Sequence, residues 1–476
     1  MLVKRLFNEQ LAQASYMIIC EHTRVALVVD PNGDIDRYVD AAAAEGARIT
    51  HVTETHIHAD FVSGARELAS RTGAELLLSD AGGPDWKYAF AAEANAELLT
   101  DGSHFMVGDV RIDAVHTPGH TPEHLSFLVT DTAVSQKHMG ALTGDFIFVG
   151  DVGRPDLLER AAGYAGTMED SARSLFESLK AFSSFPDYLQ LWPGHGAGSA
   201  CGKALGAMPQ STLGYEKLYN WAFAEQDRDR FVAQALTGQP EPPAYFALMK
   251  QVNRNGPPAP MLHAPPSITA KELAARISRS ETVVDTRSAA DYATRHASGT
   301  VNIPRNKSFL TWAGALLPYD SDVYLIIDGD DEERAAVAKE LSLIGLDRIG
   351  GVLPASSLGL LADSDAAMTG IDQVTVAEFA RRRDGVAVVD VRAKSEWDEG
   401  HLPGAIHIPL ASLQSRLSEI PGGEVVVHCQ GGGRSAIAAS ILERSGRTDV
   451  ANLTGGFSEW SRSGNPVARD PLPGRT

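Results

Sequence analysis

At 476 residues the chain is long enough for about three domains. Its formal net charge is −19, from 61 acidic and 42 basic residues, which argues against a nucleic-acid partner and against an anionic membrane surface. The 43% hydrophobic and 22% charged residues are those of an ordinary globular protein, and no apolar run approaches the ~18 residues that a membrane span needs. Cys20, Cys201 and Cys429 are too few and too scattered for a disulfide framework. The start of the chain runs from Met1 into polar Asn8-Glu9-Gln10 without a signal-peptide core, so the expected location is the cytoplasm.

In chain order, Ala14 to Ile19 and Val25 to Val29 read as a strand pair, with Pro31-Asn32-Gly33 as the turn beyond it. Strand-like runs at Ile49 to Thr53, Leu76 to Leu78 and Leu125 to Thr130 alternate with helical stretches at Ala65 to Arg71 and Met168 to Phe182. That mix predicts helices packed on sheets over residues 1–236. Residues 237–266 hold Pro240, Pro242, Pro243, Pro257, Pro258, Pro260, Pro265 and Pro266, and read as a stiff wrapping linker.

The remainder repeats itself. Val284-Asp285-Thr286-Arg287 recurs as Val389-Asp390-Val391-Arg392, the stretch 295–304 recurs as 400–409, and Gly350-Gly351 recurs as Gly455-Gly456. The offset of 105 (390 − 285, 401 − 296, 455 − 350) is the same in all three, which predicts two tandem α/β domains over 267–365 and 370–472.

Four short motifs in the first part carry metal-ligand residue types beside glycine, proline or a strand end. They are Thr55-His56-Ile57-His58-Ala59-Asp60-Phe61, His116-Thr117-Pro118-Gly119-His120, Thr143-Gly144-Asp145-Phe146 and Trp192-Pro193-Gly194-His195. Their spacing resembles the metallo-β-lactamase superfamily, whose fold is an αββα sandwich. The run from Gly144 to Asp156 is similar to its persulfide dioxygenase branch. The resemblance implies one mononuclear Fe(II) per chain, held by His56, His120 and Asp145 with positions left open for a persulfide sulfur and O2. His58, Asp60 and His195 are then outer-shell groups or the remains of a second metal site. Phe61 stands where hydrolases of this fold usually have a further histidine ligand. The resemblance also places Arg154 where the family holds the carboxylate of a thiol substrate, with a salt bridge to Asp151 or Asp156 as the alternative. Cys201, two residues before Lys203, is expected either as a sulfur relay with a lowered pKa or as a small buried residue. Cys20 reads as strand packing.

In the second repeat the apolar strand Val425-Val426-Val427 leads into His428-Cys429-Gln430-Gly431-Gly432-Gly433-Arg434-Ser435. A glycine-rich loop around a cysteine, followed by a helix, aims backbone N–H groups and the positive helix end at the sulfur. This stabilises a thiolate or a persulfide anion. The loop and the flanking Asp390, Arg392, His401-Leu402-Pro403-Gly404-Ala405 and Gly455-Gly456-Phe457 resemble rhodanese. Cys429 is the implied sulfur carrier and Arg434 the partner for an anionic sulfur donor or acceptor. In the first repeat Asp328 replaces the cysteine within Asp328-Gly329-Asp330-Asp331-Glu332, so that copy is expected to be inactive.

The chain is thus expected to be a fusion of a persulfide dioxygenase with two rhodanese-like domains. It would use small thiol persulfides and O2, form sulfite, and make or consume thiosulfate in sulfide detoxification; a homo-oligomer is compatible with it. The rivals are a dinuclear zinc thioester hydrolase of glyoxalase II type, against which Phe61 speaks, and a sulfur-trafficking adaptor without oxygenase activity.

Overall fold

The computed structural model describes residues 1–160, 166–199, 201–203, 205–259, 264–363, 367–383 and 385–469. The chain forms two compact units, Met1–Met261 with Ser342–Gly345, and Leu262–Leu341 with Leu346–Thr476.

The first unit is built on two six-stranded sheets, each with its strands in chain order. One runs from Leu2–Asn8 through Gln13–Ile19, Val25–Val29, Arg48–Thr53 and Glu75–Ser79 to Glu97–Leu99. The other runs from His104–Val107 through Val110–His116, Leu125–Asp131, Gly140–Gly144 and Gln190–Pro193 to Ser211–Thr212. Alternation along each strand sorts side chains to two faces. Tyr16, Ile18, Leu27 and Val29 face Ile112, Phe127 and Leu142 in the core between the sheets. Met17, Ile19, Ala26 and Val28 face outward, beneath Tyr38, Ala42 and Leu68 of two helices. On the far side, Leu175, Phe176, Leu179 and Phe182 of the helix Met168–Phe182 cover Leu128, Ala141 and Leu191. The order is helix, sheet, sheet, helix, as the resemblance implied.

The proline-rich stretch is more than a connector. It contains the helix Phe246–Asn255, whose Phe246, Met249, Lys250 and Asn253 are buried, and this helix belongs to the first unit. Prolines outside the helix and none within it permit this, because a proline interrupts a helix only from inside.

The second unit contains the repeat. The first copy has the parallel sheet order Val301–Asn302, Thr282–Asp285, Val323–Ile327, Ile349–Pro354. The second has the corresponding order Ile406–His407, Ala387–Asp390, Val425–His428, Val450–Thr454, with Asp372–Thr375 added at the edge. The two copies are fastened together. The Asn302 amide donates to Ser440 Oγ at 2.9 Å, Ser298 Oγ donates to Glu443 at 2.7 Å, and His296–Ala297 pairs with Met368–Thr369. Among the described residues no helix is long and apolar enough to cross a membrane.

Candidate metal centre and sulfur-transfer loop

The metal-ligand candidates lie beyond the carboxyl ends of strands. His56, His58 and Asp60 follow Arg48–Thr53, His120 follows Val110–His116, Asp145 follows Gly140–Gly144, and His195 follows Gln190–Pro193. All six are buried. Gly144 makes the approach possible. It adopts φ +47°, and a Cβ there would lie 2.5 Å from Thr55 Oγ1.

Hydrogen bonds at the far side of each imidazole fix where its lone pair points. Thr55 Oγ1 donates its proton to Asp30, so His56 Nδ1, 2.9 Å from the same oxygen, must be the donor there. His120 Nδ1 donates to the Arg154 carbonyl at 3.1 Å, and His195 Nδ1 to the Ala12 carbonyl at 3.0 Å. The remaining nitrogens converge on carboxylates. His56 Nε2 and His120 Nε2 lie 4.0 and 3.6 Å from Asp145 Oδ2, while His195 Nε2 lies 3.3 Å from Asp60 Oδ2 and 3.4 Å from Asp145 Oδ1. Among the described residues no N–H or O–H donor satisfies the buried oxygens of Asp60 or Asp145. Lone pairs of nitrogen and oxygen facing one another in a buried site require a cation between them.

Among the described residues two groups have ligand atoms close enough to share an ion: His56, His120 and Asp145, and Asp60, His195 and Cys201. Burial lowers His56 well below the usual histidine range and His120 to about 3, so both stand ready as neutral ligands. His58 behaves differently. Burial opposes its charge, but Asp30, Glu54 and Asp60 raise its pKa to about 9, and its Nε2 lies 3.1 Å from Asp30. It is a cation that braces the loop, and its ring packs on that of Phe61 at 4.4 Å.

Three further residues shape the centre and carried no signal in the motifs. His124 Nε2 accepts the Asp145 amide at 3.2 Å, Asp30 holds the Thr55 amide at 2.6 Å, and Glu123 takes the Ile57 amide at 2.9 Å. Asn253, from the helix in the proline-rich stretch, donates to the carbonyls of His58 and Phe61 at 2.8 and 2.7 Å and accepts from the Ser63 amide at 2.9 Å. Replacing Asn253 with alanine leaves three buried backbone groups without this partner. The expected cost is about 3 kcal/mol or more, read as a lower urea midpoint for the metal-free protein.

Two further expected residues lie close to these groups. Arg154 is fully buried, and its guanidinium donates to Asp156, at 3.0 and 2.7 Å, and to the Pro240 carbonyl at 2.6 Å. Its carbonyl orients His120. Cys201 does lie beside the metal groups, but its thiol pKa is raised well above the usual value by burial and then by Asp60 and Asp145. Lys203 does not offset this, because its Nζ donates to the carbonyls of Gln234 and Thr237.

In the second unit Cys429 sits 2% exposed between the strand Val425–His428 and the helix Gly433–Arg444. The Gly432 amide donates to its sulfur at 3.1 Å and Ser435 Oγ at 3.4 Å. Of the three loop glycines only Gly432 has a positive φ, +103°. The loop is tied from outside as well. The Phe457 amide donates to the Cys429 carbonyl at 2.8 Å, and a Cβ on Gly456 would stand 2.3 Å from that carbonyl. Arg392 is locked to Asp390 and reaches Gln430, and Arg434 forms a two-pronged pair with Glu396 at 2.6 and 2.7 Å. Against burial, Glu396 and to a lesser degree Cys429 raise the Arg434 pKa.

In the first copy Asp285 pairs with Ile326 as Asp390 pairs with His428, so Ile327, rather than the expected Asp328, stands at the position of Cys429. From that position to the helix start is four residues in both copies, so the first loop lacks the cysteine but not the length.

The family models agree with this division. Residues 10–195 match the metallo-beta-lactamase superfamily, and residues 269–352 and 375–463 each match the rhodanese-like domain. The crystal structure of a metallo-beta-lactamase from Staphylococcus aureus is 41% identical, with a TM-score of 0.69, and covers 74% of this chain and 99% of that one. A hydroxyacylglutathione hydrolase of Rhodospirillum rubrum is 28% identical over 38% of this chain and 60% of its own. A sulfurtransferase of Allochromatium vinosum is 35% identical over 20% of this chain and 92% of its own. The chain spans about half the length, 54% to 56%, of the first curated relatives it matches. It belongs to the metallo-beta-lactamase superfamily, with two rhodanese-like domains joined behind that fold.

Proposed function

We propose that the protein is a cytoplasmic persulfide dioxygenase and sulfurtransferase. In this reading a low-molecular-weight thiol persulfide is oxidised by O2 to the thiol and sulfite at one non-haem iron. Cys429 then takes up or donates sulfane sulfur, so that persulfide and sulfite are linked to thiosulfate in sulfide detoxification. The observation that carries the reading is the convergence of His56 Nε2, His120 Nε2 and Asp145 Oδ2, two neutral imidazoles and one carboxylate, within one buried cluster. Fe(II) held by these three residues would bring the persulfide sulfur and O2 onto a single ion.

The chain's own residues supply the rest. Thr55, Arg154 and Ala12 hold the imidazoles in the tautomer that faces the centre. His58, as a cation against Asp30, limits the negative charge that Asp30, Asp60 and Asp145 bring to the pocket. Phe61, fully buried on the His58 ring, excludes water and offers no ligand atom. At Cys429 the Gly432 amide and the helix start stabilise sulfur in its anionic form.

The Asp60, His195 and Cys201 group favours a second reading, in which these residues would hold a second ion beside the first and the chemistry would be thioester hydrolysis. Metal analysis of the purified protein, with O2 uptake on adding glutathione persulfide, decides between them. One iron per chain and persulfide-dependent O2 consumption are expected. Two metals per chain, with thioester turnover and no O2 uptake, would establish the hydrolase.

Metal retention should also depend on pH in a set direction. Burial raises Asp145 to about 6 in the metal-free protein. A raised folded-state value means that protonation favours the folded metal-free chain, whereas metal binding needs the carboxylate. Metal affinity, measured by competition with a chelator from pH 7 to 5, should therefore weaken as pH falls below about 6, with the far-ultraviolet circular dichroism unchanged.

A further inference from the structure

The loop around Cys429 is open above and charged only at its sides. Gln430, Gly431 and Gly433 are exposed, and Cys429 is buried beneath them. Glycine places no side chain over the sulfur, so the residues flanking the loop set the charge that a sulfur donor meets. Two guanidiniums flank it. Arg392 is buried and bound to Asp390 through Nε at 3.0 Å and Nη2 at 2.7 Å. Arg434, in the first turn of the helix Gly433–Arg444, is bound to Glu396 through both terminal nitrogens at 2.6 and 2.7 Å. Each cation thus carries its own carboxylate, and the two pairs add no net charge. What remains for an anion is the Gly432 amide, Ser435 Oγ and the helix start. That equipment suits one negative charge.

Of the two carboxylates, Glu396 controls the cation that a donor meets. Asp390 lies fully buried with its arginine, whereas Glu396 and Arg434 keep 29% and 24% of their side-chain surface exposed. Arg434 is also close enough to Cys429 to feel its charge. Glu396 is fixed from behind, because its Oε2 accepts the Ala393 amide at 3.0 Å. Burial opposes its ionisation, but Arg434 and the Ala393 amide lower its pKa, so it is a carboxylate at neutral pH.

We propose that Glu396 is a specificity-determining residue of the sulfur-transfer loop: by neutralising Arg434 it makes Cys429 select donors of one negative charge or none, such as a thiol persulfide, over dianionic donors such as thiosulfate. This rests on the reading of Cys429 as sulfur carrier. In the transfer, the Cys429 thiolate attacks the outer sulfur of the donor and a new S–S bond forms. The donor's own S–S bond breaks, and its electron pair leaves on a thiolate or, from thiosulfate, on sulfite. No oxidant or reductant is needed. The attacking thiolate already carries one charge, so each further charge on the donor is repelled unless a free cation meets it. Glu396 occupies the cation best placed to do so.

The test compares thiosulfate with methanethiosulfonate, which delivers its outer sulfur in the same way with one charge fewer, on the full chain with cyanide as acceptor. In the wild type kcat/KM should favour methanethiosulfonate. Glu396→Gln keeps an oxygen for the Ala393 amide and relieves Arg434 of its counter-charge. It should shift the ratio of the two kcat/KM values about tenfold toward thiosulfate, through a lower KM for thiosulfate, as expected for one unit charge near a partly exposed guanidinium. Glu396→Asp, which keeps the charge, should keep the wild-type preference. A second readout does not depend on sulfur transfer. Alkylation of Cys429, followed by mass spectrometry of its peptide, should shift severalfold from neutral iodoacetamide toward anionic iodoacetate in Glu396→Gln. An unchanged donor ratio or alkylation ratio in Glu396→Gln, or an equal shift in Glu396→Asp, would overturn the proposal. If the wild type transfers no sulfur from either donor, the carrier reading fails instead, and the alkylation ratio still decides whether Glu396 sets the charge at Cys429.

Discussion

Replacing Asp145 with alanine should strip the protein of metal and abolish persulfide-dependent O2 uptake. The loss should exceed the ~10–100-fold that follows removal of an outer partner of a metal ligand. Asp145 presents Oδ2 to His56 and His120 and Oδ1 to His195, so its removal takes the only carboxylate from the His56–His120 group and a neighbouring oxygen from His195. The fold should survive. The Asp145 carboxyl is itself a buried acid whose pKa burial raises, so deleting it removes a desolvation cost from the metal-free protein. Metal content measured beside thermal unfolding checks both halves. Retention of one metal per chain in the alanine variant would remove Asp145 from the ligand set.

Cys429→Ser should have an effect of similar size confined to the other activity. Sulfur transfer from thiosulfate to cyanide should fall by more than about 10³-fold, because a hydroxyl cannot carry sulfane sulfur as the thiolate does. O2 uptake with glutathione persulfide should stay near the wild-type rate, since the metal cluster draws its residues from the first unit alone. The substitution is nearly isosteric at a 2% exposed position, so a folding defect is not expected. Substantial transfer by the serine variant would exclude Cys429 as the carrier.

Much of this arrangement is legible in the sequence, for physical reasons. Metal-binding and cysteine-cradling motifs need particular residue types at strand ends, so the motifs around His56, His120, Asp145 and Cys429 are visible in the sequence, and their family resemblance singles these residues out. The repeat is legible because two copies of one sheet place the same aspartate–arginine pair at the same strand end, Asp285 with Arg287 and Asp390 with Arg392. Supports drawn from afar are harder to read. His124 is an unremarkable histidine until its Nε2 is seen under the Asp145 amide, and Asn253 lies 192 residues from the carbonyl it holds at Phe61. The partner of a buried charge is equally hard to read: sequence leaves Asp151, Asp156 and a substrate carboxylate open for Arg154, and the structure shows Asp156 on its guanidinium. Lys203 misleads in the same way, since nearness in sequence to Cys201 does not bring its ammonium to the sulfur.

The Asn253 clamp has a consequence for where the metal-binding part of the chain ends. The family match stops at residue 195, and composition suggests a boundary near 236, yet the side chain that closes the His58–Phe61 loop comes from beyond both. A fragment cut at either point would keep His56, His120 and Asp145 and lose the brace that shapes the His58–Phe61 loop. The stretch that joins the metallo-beta-lactamase fold to the rhodanese-like domains is therefore also part of the first unit, and a cut that keeps the first unit whole has to fall after the helix, not before it.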